Sequence, residues 1–325
     1  MRYDELWRGM IAGLALVLGA CSDSGESGSD GAAGVDPASL CVDSDCGEKT
    51  VLLTIPDAEN LLFSSSGRLF VSGGTNVFEI HKDGEAYAAT PLFEGSANFT
   101  GLAIHAGTLY ANCFDGQLYA ARLTAQPKLQ PIHALGLAAP NGLVDGPDGE
   151  LYAVNGPLAT NALPDPKIVK LTLDPLDPLK VTSQSDWFSA GLLGPNGLQR
   201  RERTLYVSNT GLGGLGEIRK VEIAADGSAG TSSQVASFLS LPDDFSLVGD
   251  SILAAYFSNG RIALIGPDGT VRARTALQSF SFPSQVRVGQ PPLFREEELL
   301  VTEKGILGDN NSPIGNRLSV FRRKP

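Results

Sequence analysis

One phrase recurs along this chain and limits its fold more than any other feature. It is a polar residue, a short apolar strand, a glycine-containing turn, then leucine followed by an aromatic or aliphatic pair and a further strand. The first three copies are Glu59-Asn60-Leu61 with Leu69-Phe70-Val71, Thr100-Gly101-Leu102 with Leu109-Tyr110-Ala111, and Asn141-Gly142-Leu143 with Leu151-Tyr152-Ala153. The last three are Asn196-Gly197-Leu198 with Leu205-Tyr206-Val207, Asp243-Asp244-Phe245 with Leu253-Ala254-Ala255, and Ser284-Gln285-Val286 with Leu300-Val301-Thr302. A period of roughly 40 to 55 residues, with Asp-Gly turns and no sustained helical periodicity, belongs to arrays of small sheets and not to helical solenoids. Each copy has room for four short strands, so the repeat predicts an all-β chain, a six-bladed β-propeller of four-stranded antiparallel blades. The sixth copy supplies only three strands, around Val286, Leu300 and residues 317–321, while a spare strand, Val51 to Ile55, precedes the first copy. Pairing that N-terminal strand with residues 317–321 closes the ring without a free edge.

Ahead of the repeats, Arg2 and Arg8 precede an apolar run from Met10 to Ala20, too short to span a bilayer but of signal-peptide length. It ends in Leu18-Gly19-Ala20-Cys21, which resembles the lipobox of bacterial lipoproteins, where the cysteine is lipidated before cleavage. The alternative is an ordinary secretory signal with an incidental cysteine. The domain reading is therefore a signal peptide over 1–20, a lipid anchor at Cys21 with a flexible tether to 48, and the propeller over 49–325. Residues 22–40 are rich in Ser, Gly, Asp and Ala and have too few large apolar side chains to fold. Ser22 after the cysteine points to an outer-membrane lipoprotein, facing the periplasm or the surface. An exported chain permits disulfides, so Cys41 and Cys46 are expected to bridge a small loop, with two separate thiols as the alternative. Cys113, in an apolar strand, is expected to be a buried inert thiol.

The 325 residues carry a formal net charge of -11 and no basic run, which argues against nucleic acid and against direct attraction to anionic membrane surfaces. The expected contact with the bilayer is through Cys21 only, and the propeller is expected to be a monomer.

In a propeller the innermost strand of each blade borders the channel, so the polar residue opening each copy lies at the channel mouth. Those residues are Glu59, Thr100, Asn141, Asn196, Asp243 and Ser284, all with a side-chain oxygen and two of them carboxylates. Such a ring suits a hard divalent cation, with Ca2+ first and Zn2+, Mg2+ or Mn2+ as alternatives. For any single copy, Asn-Gly or Asp-Asp before a strand also reads as turn chemistry. Three long loops, 156–166, 210–216 and 303–316, fall on the same face, where binding sites on regular scaffolds are usually built.

Other motifs fail. Gly211-Leu212-Gly213-Gly214-Leu215-Gly216 fits the dinucleotide pattern, but residues 217–223 alternate at period two, so no helix follows to hold a pyrophosphate. No G-x-S-x-G elbow is present. His81 and His133 fall in outer strands and His105 at the far end of an inner one, which reads as structural.

The phrases resemble the gluconolactonase, regucalcin and luciferin-regenerating enzyme family of six-bladed propellers, and more distantly paraoxonases and strictosidine synthase-like proteins. The likeness covers residues 51–325 and is most specific at Pro195-Asn196-Gly197-Leu198, Leu205-Tyr206-Val207-Ser208-Asn209 and Leu241-Pro242-Asp243-Asp244. It implies a divalent metal on Glu59, Asn196 and Asp243, with Asn141 contacting substrate. Thr100 and Ser284, the remaining members of the ring, are then expected to face substrate too. The family's sugar-lactone hydrolases have an arginine just before the substrate asparagine, where this chain has Ala139-Pro140, and paraoxonases have a catalytic histidine where it has Thr100-Gly101. The resemblance thus implies hydrolysis of a lactone or ester, with Asp243 or Asp244 taking a proton from water. The competing expectation is a non-catalytic propeller that binds a ligand or an envelope protein and keeps the metal for stability.

Overall fold

A computed structural model describes residues 34–156, 162–211, 213 and 215–325. The lipobox and Cys21 lie outside the described residues, as do parts of the loops at 156–166 and 210–216.

Six antiparallel four-stranded sheets follow one another along the chain. Strand β1 (Gly47–Thr54) comes first. Blade one is β2 (Leu61–Phe63), β3 (Leu69–Ser72), β4 (Val77–Asp83) and β5 (Ala86–Pro91). Blade two is β6 (Phe99–His105), β7 (Thr108–Cys113), β8 (Gln117–Arg122) and β9 (Gln130–Ala134). Blade three is β10 (Pro140–Asp145), β11 (Glu150–Asn155), β12 (Lys167–Asp174) and β13 (Asp177–Phe188). Blade four is β14 (Pro195–Arg201), β15 (Thr204–Thr210), β16 (Gly216–Ile223) and β17 (Ala229–Phe238). Blade five is β18 (Pro242–Val248), β19 (Ser251–Tyr256), β20 (Arg261–Ile265) and β21 (Val271–Arg274). Blade six is β22 (Pro283–Val288), β23 (Leu299–Gly305) and β24 (Gly315–Arg323), with β1 as its outermost strand. Closure is thus by the N-terminal strand, in the register Val51↔Ser319 and Thr54↔Arg317, and it runs on to Gly47↔Arg323.

The apolar residues of the repeat form six clusters, each shared by two neighbouring blades. Phe70 and Val77 meet Phe99 and Tyr119 between blades one and two, and Leu61 and Leu69 meet Leu300 and Leu318 across the closure. A sheet that is apolar on both faces cannot be stable alone, so every blade depends on both neighbours.

The tether is shorter than expected at its C-terminal end. Val35, Leu40, Cys41 and Val42 are buried against blades five and six, because this stretch does carry apolar side chains. Cys41 and Cys46 form the expected disulfide, and the Cys46 carbonyl accepts from Lys324 N–H at 2.9 Å. Cys113 is buried, and burial pushes its thiol up to about 12.

Candidate functional site at the channel mouth

Five of the six inner strands carry a register shift at their start. In blade two Phe99 pairs with Cys113 but Leu102 with Ala111, and Pro140, Pro195, Pro242 and Pro283 open the same irregularity in blades three to six. In these five blades the polar residue of the phrase sits in this bulge, which turns its side chain out of the ladder, while in blade one Glu59 lies just ahead of β2. The Asn-Gly pairs are therefore not turns. A Cβ on Gly101, Gly142 or Gly197 would overlap the next blade's inner strand, so glycine lets the six strands crowd around the axis.

A bulge frees backbone groups that must be satisfied elsewhere. Hydroxyls on the second strands do this. Ser208 Oγ accepts from Gly197 N–H at 2.7 Å and donates to the Asp243 carbonyl of the next blade at 2.5 Å. Thr302 Oγ1 accepts from Gln285 N–H at 2.9 Å and donates to the Glu59 carbonyl at 2.6 Å. Ser72 accepts from Asn60 N–H and donates to the Thr100 carbonyl in the same way, and Asn112 Nδ2 donates to the Asn141 carbonyl at 2.8 Å. Val154 and Ala255 stand at the equivalent position of blades three and five and have no such group. The residue after the leucine-led triplet in blades one to four, and the third residue of the triplet in blades five and six, is the sequence position that carries these bonds.

Below the bulges lies a polar plug across the channel. Asp244 Oδ2 accepts from Asn60 Nδ2 at 2.6 Å and Gln285 Nε2 at 3.0 Å, while Oδ1 accepts from Gln199 Nε2 at 3.0 Å and its neighbour's backbone, Phe245 N–H, at 2.6 Å. Arg287 donates to Gln199 Oε1 at 2.9 Å. Burial pushes the Asp244 carboxyl up, and these donors pull against it. With both oxygens filled, Asp244 is a structural hub, and its expected role as an alternative proton acceptor has no free lone pair to work with.

The mouth above the plug is built differently. Asp243, on the strand's other side, keeps a buried Oδ1 with no hydrogen-bond partner among the described residues, and so does Asn196 Oδ1. Burial first, and then the charge of Glu59, push the Asp243 carboxyl well up, and burial likewise raises Glu59. The Ser284 hydroxyl lies close enough to favour the charged form of Asp243, though it makes no hydrogen bond of good geometry. Asn141 and Asn196 are half-buried. Thr100 is turned away, its Oγ1 donating to the Pro140 carbonyl at 2.8 Å, so it holds two blades together instead of facing a ligand.

The residue that the repeat did not disclose is Lys304, at the end of β23. Its Nζ donates to Glu59 Oε2 in a buried ion pair and lies 3.4 Å from Asp57 Oδ2. Burial alone would lower the Lys304 pKa, but Glu59 and Asp57 outweigh it and hold the ammonium above its ordinary value. Two carboxylates, Asp57 and Glu59, thus meet one ammonium, and Asp243 feels the charges of both Glu59 and Lys304. The donor chemistry fits a hard cation: carboxylate and amide oxygens, two of them without a partner among the described residues, and no His or Cys. No group of three or more His, Cys, Asp or Glu side chains poised for a metal occurs among the described residues, so a cation here would rely on Asn196 as the third ligand.

Around this mouth stands a rim of exposed apolar side chains. Leu163, Leu193, Leu215, Leu239, Phe282 and Ile306 all lie in loops on the face where inner strands begin and second strands end. The three histidines lie away from it, on β4, β9 and the far end of β6. A surface recess of about 510 Å3 beside Asp43, Arg261 and β21 lies on the outer edge of blade five, remote from this chemistry. Strand β16 starts at Gly216, so the glycine-rich run leads into a strand and not a helix.

No family model and no curated protein matches the chain. Its fold is similar to that of a calcium-binding protein, regucalcin, from Agrobacterium tumefaciens strain C58, with a TM-score of 0.61 at 17% identity, covering 88% of this chain and 99% of that one. The PQQ-bound aldose sugar dehydrogenase of Streptomyces coelicolor gives 0.59 at 17% identity, covering 86% and 99%. A chain of a nidogen–laminin complex gives 0.55 at 15% identity, covering 73% and 85%. These likenesses establish the six-bladed architecture, and fold does not assign function.

Proposed function

We propose that the channel mouth is a hydrolase site for a lactone or ester, with a divalent cation, Ca2+ by its donors, held by Glu59, Asn196 and Asp243. One observation carries the reading: Asn196 Oδ1 and Asp243 Oδ1, on the inner strands of neighbouring blades, are buried without partners among the described residues, and Asp243 feels the charge of a second carboxylate, Glu59. Buried acceptors in this state are costly unless a ligand or ion completes them. A bound cation supplies Lewis-acid polarisation of the carbonyl and stabilises the oxyanion. Asp243 takes the proton of the attacking water. Asn141 orients the carbonyl end of the substrate, its own backbone fixed by Asn112. The apolar rim suits an acyl or aryl body better than a polyol, and Ala139-Pro140 before Asn141 offers no charge to a sugar acid. The disulfide between Cys41 and Cys46 supports export, and with it attachment to the cell envelope through lipid on Cys21.

In metal-loaded, folded protein, Glu59→Gln and Asp243→Asn should each abolish turnover of a panel of lactones and aryl esters and weaken metal retention in equilibrium dialysis. The enzyme reading fails if wild-type protein hydrolyses nothing across the panel, or if activity survives both substitutions. The same rim also suits a protein partner, so a metal that is retained and stabilising without any turnover would favour the binding propeller.

A further inference from the structure

A divalent cation on Glu59 would have to share that carboxylate with an ammonium or displace it. Lys304 Nζ already occupies Glu59 Oε2, in a buried place where like charges at contact distance repel strongly. A second acceptor stands within reach. Asp57 Oδ2 is 3.4 Å from the same Nζ, and Asp57 Oδ1 is buried with no hydrogen-bond partner among the described residues. Asp57 is held rigidly for this: its N–H donates to Asn316 Oδ1 at 2.5 Å, and its backbone is left-handed, with φ 47°. Asn310 Oδ1, also buried and unpartnered among the described residues, borders Gly74 beside Asp57, so the acceptors around Asp57 exceed the donors available to them.

Resting on the reading that Glu59, Asn196 and Asp243 hold a cation, we infer that Lys304 is a tethered competitor for that site. Its ammonium neutralises Glu59 when no metal is bound and moves onto Asp57 when a divalent cation takes Glu59. The chain thereby sets its own metal affinity. The lysine keeps the empty mouth from holding Glu59 and Asp57 with no cation, and Asp57 gives it somewhere to go that is not solvent.

The test is calorimetric titration of the metal-stripped protein with Ca2+, and then with Mn2+, in wild type, Lys304→Met, Asp57→Asn and the double variant. Met keeps the length and bulk of the side chain and removes the charge. Lys304→Met should bind the cation at least about tenfold more tightly than wild type, because its competitor is gone. Asp57→Asn should weaken binding several-fold while Lys304 is present and have little effect in the Lys304→Met background, since only the lysine needs Asp57. Equal or weaker binding by Lys304→Met overturns the inference and leaves the metal site standing. If neither wild type nor Lys304→Met binds either cation, and Glu59→Gln changes nothing, the metal reading itself has failed and the inference with it. Should Lys304→Met not fold, Lys304→Gln decides the matter through the cation-dependent shift in unfolding temperature: a larger shift than in wild type supports the competitor, and an equal or smaller one overturns it.

Discussion

Asp243 and Asp244 are neighbours on one strand, both buried, and they belong to two regions that differ in almost every other respect. Asp244 faces the plug, where Asn60, Gln199, Gln285 and a backbone N–H fill its oxygens. Asp243 faces the mouth, where one of its oxygens has no partner among the described residues and Glu59 adds a like charge. A satisfied buried network rigidifies a fold and specifies it, whereas a partly satisfied one is unstable unless something else completes it. The plug is therefore read as structure and the mouth as function, although burial alone does not separate them.

Mutation at the two aspartates separates plug from mouth most directly. Asp244→Ala removes the acceptor of four donors and should destabilise the metal-free protein by about 3–5 kcal/mol, the range for breaking a buried charged network. Asp243→Asn removes one of two repelling carboxylates and should leave metal-free stability unchanged or slightly raised. Denaturant titrations in chelator measure both. Equal losses at the two positions would show that the mouth is as structural as the plug.

A smaller effect is expected from pH. Glu59, Asp243 and Asp244 all have carboxyl pKa values raised chiefly by burial, with Asp57, Lys304 and Arg287 as the other charged groups facing them. An acid whose folded pKa exceeds its unfolded value, ordinarily about 4, binds more protons when folded. Stability of the metal-free protein should therefore fall as pH rises from about 4 through the folded values, and level off above them. The raised Lys304 pKa acts only at alkaline pH, where its stabilisation is lost as the ammonium deprotonates. Ca2+ should restore the loss at neutral pH, and Asp243→Asn should flatten the slope. Thermal unfolding from about pH 4.5 to 8 in chelator would contradict the distinction if it showed no decline.

The division between plug and mouth was only half legible in the sequence. The repeat carried the blade count and the closure, because each copy writes the same alternation of apolar strands and turns. It also placed Glu59, Asn196 and Asp243 at one level, since equivalent positions in a ring share a height. It could not separate Asp243 from Asp244, which have the same chemistry and differ only in which side of the bulge they take. Thr100 looked like a site residue for the same reason, yet its hydroxyl bonds the neighbouring blade. Lys304 escaped because it lies at the end of a second strand, outside the position the repeat compares. Its signal was a charged pair, Glu303-Lys304, closing an apolar strand beside one of the long loops. Gln199, Gln285 and Arg287 were marked only as polar residues within inner strands, and each finds its partner on another blade.

The smallest effect concerns the hydroxyls that join the two regions. Thr302 and Ser208 each satisfy a backbone N–H freed by a bulge and, on the other side, hold the carbonyl of Glu59 or Asp243. Thr302→Val and Ser208→Ala leave two buried backbone groups without that partner, so each should cost about 1–3 kcal/mol. Thr302→Ser keeps the hydroxyl and should cost much less. If these bonds also set the position of the mouth, the two hydroxyl deletions should weaken Ca2+ binding as well as stability, while Ser72→Ala, which releases the Thr100 carbonyl, should reduce stability alone. Paired denaturation and calcium titrations on the four variants decide it. Equal loss of calcium affinity in Ser72→Ala would mean that the ring transmits strain evenly and that the mouth has no privileged support.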